Sequence, residues 1–116
     1  MGTMLYEKGV FLNRCFEEVC LSDPNLVLGI HREYLDAGAE VLTTNSWGAN
    51  LPKLTSRGLA ERFAEINEKA VALARKAAED AGRAGSVHVA GSIGPLGVKL
   101  APLGNLSVPD AEDLFQ

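Results

Sequence analysis

The sequence has few cysteines, few aromatic residues and no excess of positive charge. Two cysteines in 116 residues are too few for a disulfide scaffold. Cys15 and Cys20, separated by four residues, form neither a complete structural zinc site nor a redox motif. Acidic residues outnumber basic ones by 15 to 11, which argues against a nucleic-acid partner because such proteins concentrate Lys and Arg on one face.

Long hydrophobic runs are also missing. No apolar stretch approaches the roughly 20 residues of a membrane-spanning helix, and no basic segment followed by an apolar one opens the chain. We therefore expect a cytoplasmic protein that has no membrane partner and keeps both thiols reduced. An apolar content of 47% with 22% charged residues is ordinary for a globular domain.

Apolar spacing and turn residues predict an α/β chain. From residue 22 onwards, Ser22 or Asp23 caps a helix, Pro24 occupies its first turn and Gly38 ends it. The alternation of helix and strand implies parallel pairing through a crossover. The segment 1–21 has no clear assignment. The predicted elements are helices at 22–38, 59–81 and 107–116, one helical turn at 52–54, a buried strand at 40–44 and a second strand at 87–91.

The predicted elements do not complete a domain. Two or three parallel strands leave both sheet edges open and at least one apolar helix face uncovered. A complete domain built from such units is a doubly wound sheet or a closed (β/α)8 barrel. The barrel needs about 250 residues, so residues 1–116 would supply less than half of it.

Two loops are candidates for ligand binding, because ligands of parallel α/β folds meet the carboxyl ends of the strands. In the first, the hydroxyl of Thr44 and the amide of Asn45 could hydrogen-bond a small polar substrate. The alternative is that they only form hydrogen bonds within a turn. The second, residues 91–97, is rich in glycine and could present backbone amides to an anion. Its spacing is neither that of a dinucleotide fingerprint nor that of a P-loop.

The histidines do not indicate a catalytic centre. His31 lies on a predicted helix beside Arg32 and Glu33, which predicts a solvated helix face. His88 lies within a strand between two valines, which predicts a satisfied interior or interface histidine. No nucleophile–base pair, carboxylate dyad or set of metal ligands can be assembled, so we assign no catalytic or metal-binding residue.

Five segments taken together resemble the homocysteine S-methyltransferase family in order and spacing. They are MGTML at 1–5, GVFLNRC at 9–15, HREYLDAGA at 31–39, TNSWGAN at 44–50 and GSIGP at 91–95. The pattern is most similar to the homocysteine-binding domain of methionine synthases, and it also fits bacterial proteins that join this domain to a methylenetetrahydrofolate reductase. The resemblance covers nearly the whole chain.

The resemblance implies a (β/α)8 TIM barrel that binds zinc through three cysteine thiolates and transfers a methyl group to the zinc-bound sulfur of homocysteine. The methyl donor, whether methyltetrahydrofolate, S-methylmethionine or betaine, stays open. Thr44 matches a substrate-contacting threonine that follows the second strand of the family. Gly2 and Thr3 match the end of a motif after the first strand, and Asn45 belongs to the same mouth loop as Thr44.

The chain also departs from the family pattern. The first strand and the Asp-Gly-Ala that precede Met1 in the family are absent, and the substrate-binding glutamate and all three zinc cysteines lie beyond Gln116. Cys15 and Cys20 match none of those ligands. We therefore expect residues 1–116 to be a partial barrel, consisting of the N-terminal βα units only, that binds no catalytic zinc and is inactive alone. The alternative is a non-catalytic binding or interaction module completed by a partner chain.

Overall fold

The computed structural model describes residues 1–11, 14–98, 100 and 104–116. Leu12 and Asn13, which belong to the family-like motif at 9–15, lie outside the described residues. In chain order the elements are α1 (Gly2–Glu7), α2 (Val19–Ser22), α3 (Pro24–Asp36), β1 (Val41–Thr43), α4 (Leu51–Ser56), α5 (Phe63–Asp80), β2 (His88–Ala90) and α6 (Val108–Phe115), with short 3-10 turns at Phe16–Glu18 and Ala60–Arg62.

The two long helices begin and end close to the positions that the sequence predicts. The carboxylate of Asp23 accepts a hydrogen bond from the Leu26 amide at 3.3 Å and caps α3, with Pro24 at its first position. Gly38, at φ +97, ends the same helix in the left-handed conformation. Ser107 caps α6 in the same way as Asp23 caps α3. No helix within the described residues is long and apolar enough to cross a membrane.

A side chain in the turn after α5 is hydrogen-bonded to the carboxyl end of α3. The turn after α5 contains Arg83, whose guanidinium donates hydrogen bonds to the carbonyls of Leu35 at 3.0 Å and Ala39 at 3.1 Å. These carbonyls lie at and just beyond the end of α3, where backbone acceptors lack helical partners. Arg83 therefore holds the connection into β1 against the turn that leads to β2.

The sheet consists of two strands within the described part of the chain, and they pair in parallel as predicted. Leu42 lies opposite Val89 on the face that packs against the helices. Val41 pairs with His88 on the other face, where Val41 is 53% exposed. The prediction of a buried strand at 40–44 is therefore only half right, because α3 and α5 cover one face of the sheet and leave the other open.

The main core lies between α3, α5 and the covered face of the sheet. Ile30 of α3 and Ala70 and Ala74 of α5 are fully buried, and Leu5 of α1 joins the same cluster. The spacing of the small alanines allows the backbones of the two helices to approach closely. Helix α1 and the 3-10 turn that follows it were not predicted, since glycines at 2 and 9 interrupt the apolar pattern there.

Two expectations about histidines are corrected by the packing. His31 is 1% exposed and not solvated, because it follows Val27 by four residues and precedes Leu35 by four, which places it on the buried stripe of α3. His88 is exposed because it lies on the open face of the sheet, so of its two predicted positions, interior or interface, the interior one is wrong. Alternation along β2 turns Val89 inward and His88 outward.

Candidate functional site

A cleft of about 530 Å³ opens beside β1 and the loop that follows it. It brings together three of the four residues that the sequence singles out, namely Gly2, Thr44 and Asn45. The fourth, Thr3, is exposed on α1 and is not among the residues that line the cleft. Such a volume is within the range of small-molecule sites.

The hydroxyl of Thr44 takes part in a closed ring of hydrogen bonds. The amide of Ser92 donates to Thr44 Oγ1 at 3.1 Å, and Ser46 Oγ donates to the Ser92 carbonyl at 2.8 Å. Because a serine hydroxyl has one hydrogen, the 2.6 Å contact between Thr44 Oγ1 and Ser46 Oγ must use the hydrogen of Thr44. Thr44 is thus held rigidly, and towards a ligand it acts only as an acceptor.

The side-chain amide of Asn45 also donates its hydrogens within the protein. Its Nδ2 donates to the Phe16 carbonyl at 2.8 Å and to Cys20 Sγ at 3.5 Å, and the residue is 5% exposed. Both donors of the side chain are therefore used, so a bound ligand would meet Oδ1 as an acceptor. These contacts fix the loop after β1 to the segment between α1 and α3.

Two further contacts join the β1 loop (residues 44–50) to the β2 loop (residues 91–97). The amide of Gly94 donates to the Trp47 carbonyl at 3.0 Å, and Asn50 Nδ2 donates to the Pro95 carbonyl at 3.1 Å. The Asn50 side chain also caps α4 by accepting from the Lys53 amide. Together with the ring at Thr44, these bonds preorganise the two loops into one rigid rim.

Gly94 is expected to be indispensable for this rim. A Cβ at Gly94 would lie 2.8 Å from the indole ring of Trp47, so one loop must shift to accept it. We expect Gly94→Ala to lower the free energy of unfolding by about 1–3 kcal/mol, the usual cost of overpacking. Gly91→Ala is the control, since nothing described lies within 4 Å of a Cβ there. Chemical denaturation measures both, and equal effects would contradict the prediction.

Glu17 is a cleft residue that the sequence did not reveal. Its Oε1 accepts a hydrogen bond from the Gly48 amide at 2.7 Å, and a Cβ at Gly48 would lie 3.0 Å from the same oxygen. The glycine therefore permits this close approach. Glu17 lies in the segment 1–21, for which the sequence predicts no clear element. A single acidic residue there does not indicate a ligand site. Ser46 and Ser92 lie in the two candidate loops, but their hydrogen bonds were not predicted because they depend on the two loops meeting in space.

His31 lines the cleft from the side of α3. Of the buried polar side-chain atoms in the described residues, its Nε2 is the one without a hydrogen-bond partner. Burial, with a smaller contribution from the positive charge of the amino terminus, lowers the pKa of His31 to about 4. The imidazole is therefore neutral near pH 7. Its helical spacing from Val27 and Leu35 was the signal that could have revealed its burial.

The cysteines do not fit a metal centre. Burial raises the pKa of Cys15, and it raises the pKa of Cys20 to about 11, so both thiols stay protonated near neutral pH. Across the described ranges, no group of three or more His, Cys, Asp or Glu side chains is arranged to hold a metal ion. The residues described here do not supply a zinc site.

Comparison with known proteins identifies the family. The family model described as homocysteine S-methyltransferase matches residues 1–116, the entire chain. The chain belongs to the homocysteine S-methyltransferase family. Its α/β fold is also similar to a solved family structure, the homocysteine methyltransferase MmuM from Escherichia coli in its metallated form, with a TM-score of 0.71 and 34% identity. That match covers 82% of this chain and 35% of MmuM.

Relatives in this family are considerably longer than this chain. Methionine synthase of Mycobacterium tuberculosis is 34% identical over 99% of this chain, which spans 10% of that protein. Homocysteine S-methyltransferase 1 of Brassica oleracea is 38% identical over 81% of this chain, which spans 32% of it. Homocysteine S-methyltransferase of E. coli is 38% identical over 72% of this chain, which spans 29% of it. The chain thus spans about a tenth to a third of these curated relatives.

Proposed function

We propose that this chain forms part of the homocysteine-binding region of a methyltransferase that converts homocysteine into methionine. The observation that carries the proposal is the rim built from the β1 and β2 loops, with Gly2, Thr44 and Asn45 around one cleft. Family membership supplies the reaction, and the partial barrel with its N-terminal βα units is the architecture that we propose for these residues.

The contribution of this chain to the reaction is to bind and orient the substrate. Thr44 and Asn45 present acceptor oxygens, because their hydrogens are used within the protein. Acceptors of this kind suit the ammonium group of an amino acid. The rigid ring around Thr44 means that little ordering of the loop is required when the substrate binds, which favours affinity. Orientation by fixed groups also favours the transfer step.

Zinc dependence is proposed for the complete enzyme and not for this chain. A zinc-bound thiolate is a competent nucleophile near neutral pH, and this is the chemistry that the metal supplies in the family. Within the described residues, Cys15 and Cys20 belong to no group of three or more side chains that could hold a metal ion. We therefore propose that residues 1–116 are inactive by themselves. We also propose a cytoplasmic location, which the small number of cysteines in the sequence favours.

A chimera tests the proposed function. The matched part of MmuM is replaced by this chain, and methionine formation from homocysteine is measured. We expect activity in the chimera, and we expect Thr44→Val to reduce it by about 10-fold or more, because the variant breaks the hydrogen-bonded ring and removes an acceptor. Thr55→Val is the matched control, since the Thr55 hydroxyl bonds only locally to the Leu51 carbonyl on exposed α4.

The outcomes separate the proposed function from a non-catalytic role. A folded chimera that lacks activity, with MmuM itself active under the same conditions, would contradict the proposal. Equal activities of the Thr44→Val and Thr55→Val chimeras would show that Thr44 does not contribute to substrate binding. The 116-residue chain assayed alone is expected to form no methionine.

A further inference from the structure

Two consecutive residues of the 3-10 turn before α2 hold the β1 loop at two points. The carbonyl of Phe16 accepts a hydrogen bond from Asn45 Nδ2 at 2.8 Å, and Glu17 Oε1 accepts one from the Gly48 amide at 2.7 Å. Phe16 and Glu17 both line the cleft. The turn therefore holds the loop before and after residues 46 and 47, directly beside the acceptor groups that face a ligand.

The bond between Glu17 and Gly48 is charge-assisted. Such N–H···O⁻ bonds have lengths of about 2.7–2.9 Å and are roughly twice as strong as neutral ones. The second carboxylate oxygen, Oε2, accepts a hydrogen bond from the Cys15 thiol at 3.5 Å, so both oxygens are held. Among the described residues that line the cleft, Glu17 alone carries a carboxylate side chain. One ionised group thus ties the turn to the middle of the β1 loop.

Gly48 is needed for space and not for its backbone angles. It is not among the glycines with a positive φ, so an alanine there meets no backbone strain. A Cβ would, however, lie 3.0 Å from Glu17 Oε1 and 3.2 Å from Glu17 Cδ, so the carboxylate would have to withdraw. The absent side chain at Gly48 and the carboxylate of Glu17 form one contact, and a substitution on either side weakens it.

We propose that Glu17 is a positioning residue for the substrate site, because it fixes the β1 loop so that the acceptor oxygens of Thr44 and Asn45 are in place before the substrate binds. This inference rests on the proposed function, which assigns those two residues to homocysteine. A loop that is held in advance loses less conformational freedom on binding. The gain is the same in the ground state and in the transition state, so loss of Glu17 should raise KM and leave kcat nearly unchanged.

The functional test uses the MmuM chimera that carries this chain, with homocysteine as the varied substrate. We expect Glu17→Ala to raise KM by about 10-fold while kcat stays within about 2-fold. Glu17→Gln keeps an acceptor for the Gly48 amide, and we expect its KM to stay within about 3-fold of the unsubstituted value. A merely structural role would reduce the fraction of active enzyme, and therefore kcat, at constant KM.

Glu18→Ala is the matched control for these variants. Glu18 is the neighbouring acid of the same turn, and its carboxylate pairs with Arg14 at 3.5 Å on the surface. Exposed pairs of this kind contribute little. We expect both kinetic constants of the Glu18→Ala chimera to equal those of the unsubstituted chimera.

A double-mutant cycle isolates the contact between Glu17 and Gly48. We expect Gly48→Ala to raise KM of the chimera by about 3-fold or more, because the added Cβ displaces the carboxylate. In the Glu17→Ala background the same substitution should have little further effect, since the group that it displaces is already absent. Multiplicative effects of the two substitutions on KM would mean that they act independently and would contradict the proposal.

The structural test uses the 116-residue chain alone and does not depend on activity. Hydrogen exchange of the Gly48 and Ala49 amides is compared between the unsubstituted chain and Glu17→Ala. The Ala49 amide bonds to the Ser46 carbonyl at 3.1 Å within the loop, so it reports the order of the loop and not the lost bond itself. We expect exchange to become at least about 5-fold faster at both amides.

Four further results would overturn the proposal. They are an unchanged KM in Glu17→Ala, a fall in kcat at constant KM, an effect of Glu17→Gln as large as that of Glu17→Ala, and unchanged exchange at Ala49. The third would mean that the charge acts and not the hydrogen bond, and the fourth that the loop stays in place without Glu17. An unsubstituted chimera without activity would contradict the proposed function, and amide exchange would then decide whether Glu17 fixes the loop.

Discussion

Replacement of Leu42 by alanine is expected to lower the free energy of unfolding by about 2–5 kcal/mol, the usual cost of truncating a buried leucine. Leu42 is 2% exposed and is the residue of β1 that faces the helices. Its side chain belongs to the core cluster formed by α3 and α5. A loss of this size is a large part of the stability of a small domain, so Leu42→Ala should populate the unfolded state measurably.

Val41→Ala is the matched control, because the adjacent residue of the same strand lies on the open face and is 53% exposed. We expect its cost to be below about 1 kcal/mol. Urea denaturation followed by circular dichroism measures both variants. Similar losses for the two would mean that the open face is covered in solution, and the description of a one-sided sheet would then be wrong.

Acidification from pH 7 to pH 4 is expected to destabilise the chain by about 3 kcal/mol through His31 alone. The pKa of this residue is about 4 in the folded chain, against an ordinary value of 6.5. Between these values the unfolded state binds more protons than the folded state, so stability falls as pH falls. The contribution is fully present above pH 6.5 and is lost as the pH approaches 4, at 1.36 kcal/mol for each unit of pKa difference.

The measurement is the free energy of unfolding as a function of pH for three chains. His31→Gln removes the titrating group and should lose this part of the pH dependence, whereas His88→Gln should retain it because His88 is exposed. Carboxylates titrate in all three chains, so the difference between the curves isolates His31. Parallel curves for the unsubstituted chain and His31→Gln would show that the imidazole is not buried in its neutral form.

Local sequence signals were sufficient for the long helices and for the pairing of the strands. Asp23, Pro24 and Gly38 act through their own backbone and immediate neighbours, so the start and end of α3 could be predicted without knowledge of the rest of the chain. The same holds for Ser107 at the start of α6. Helix α1 was missed because its six residues carry too few apolar positions to establish a period.

The candidate site could be predicted only in part. The rule that ligands meet the carboxyl ends of parallel strands selected Thr44 and Asn45 correctly as residues of the cleft. It could not show that their hydrogens are already used, nor that Glu17 and Ser92 come to the same place from segments distant in sequence. Hydrogen-bond partners so far apart along the chain produce no periodic pattern in the amino-acid sequence.

The α/β alternation, the parallel order of the strands and, through the motifs, the family could all be predicted from the amino-acid sequence. These follow from short-range rules of capping, apolar period and turn chemistry, together with a specific succession of segments. The packing of distant elements was needed to show which sheet face is covered, and that His31 is buried and neutral while His88 is exposed. Burial and pairing depend on which distant elements pack together, and in this chain α3 and α5 cover one face of the sheet.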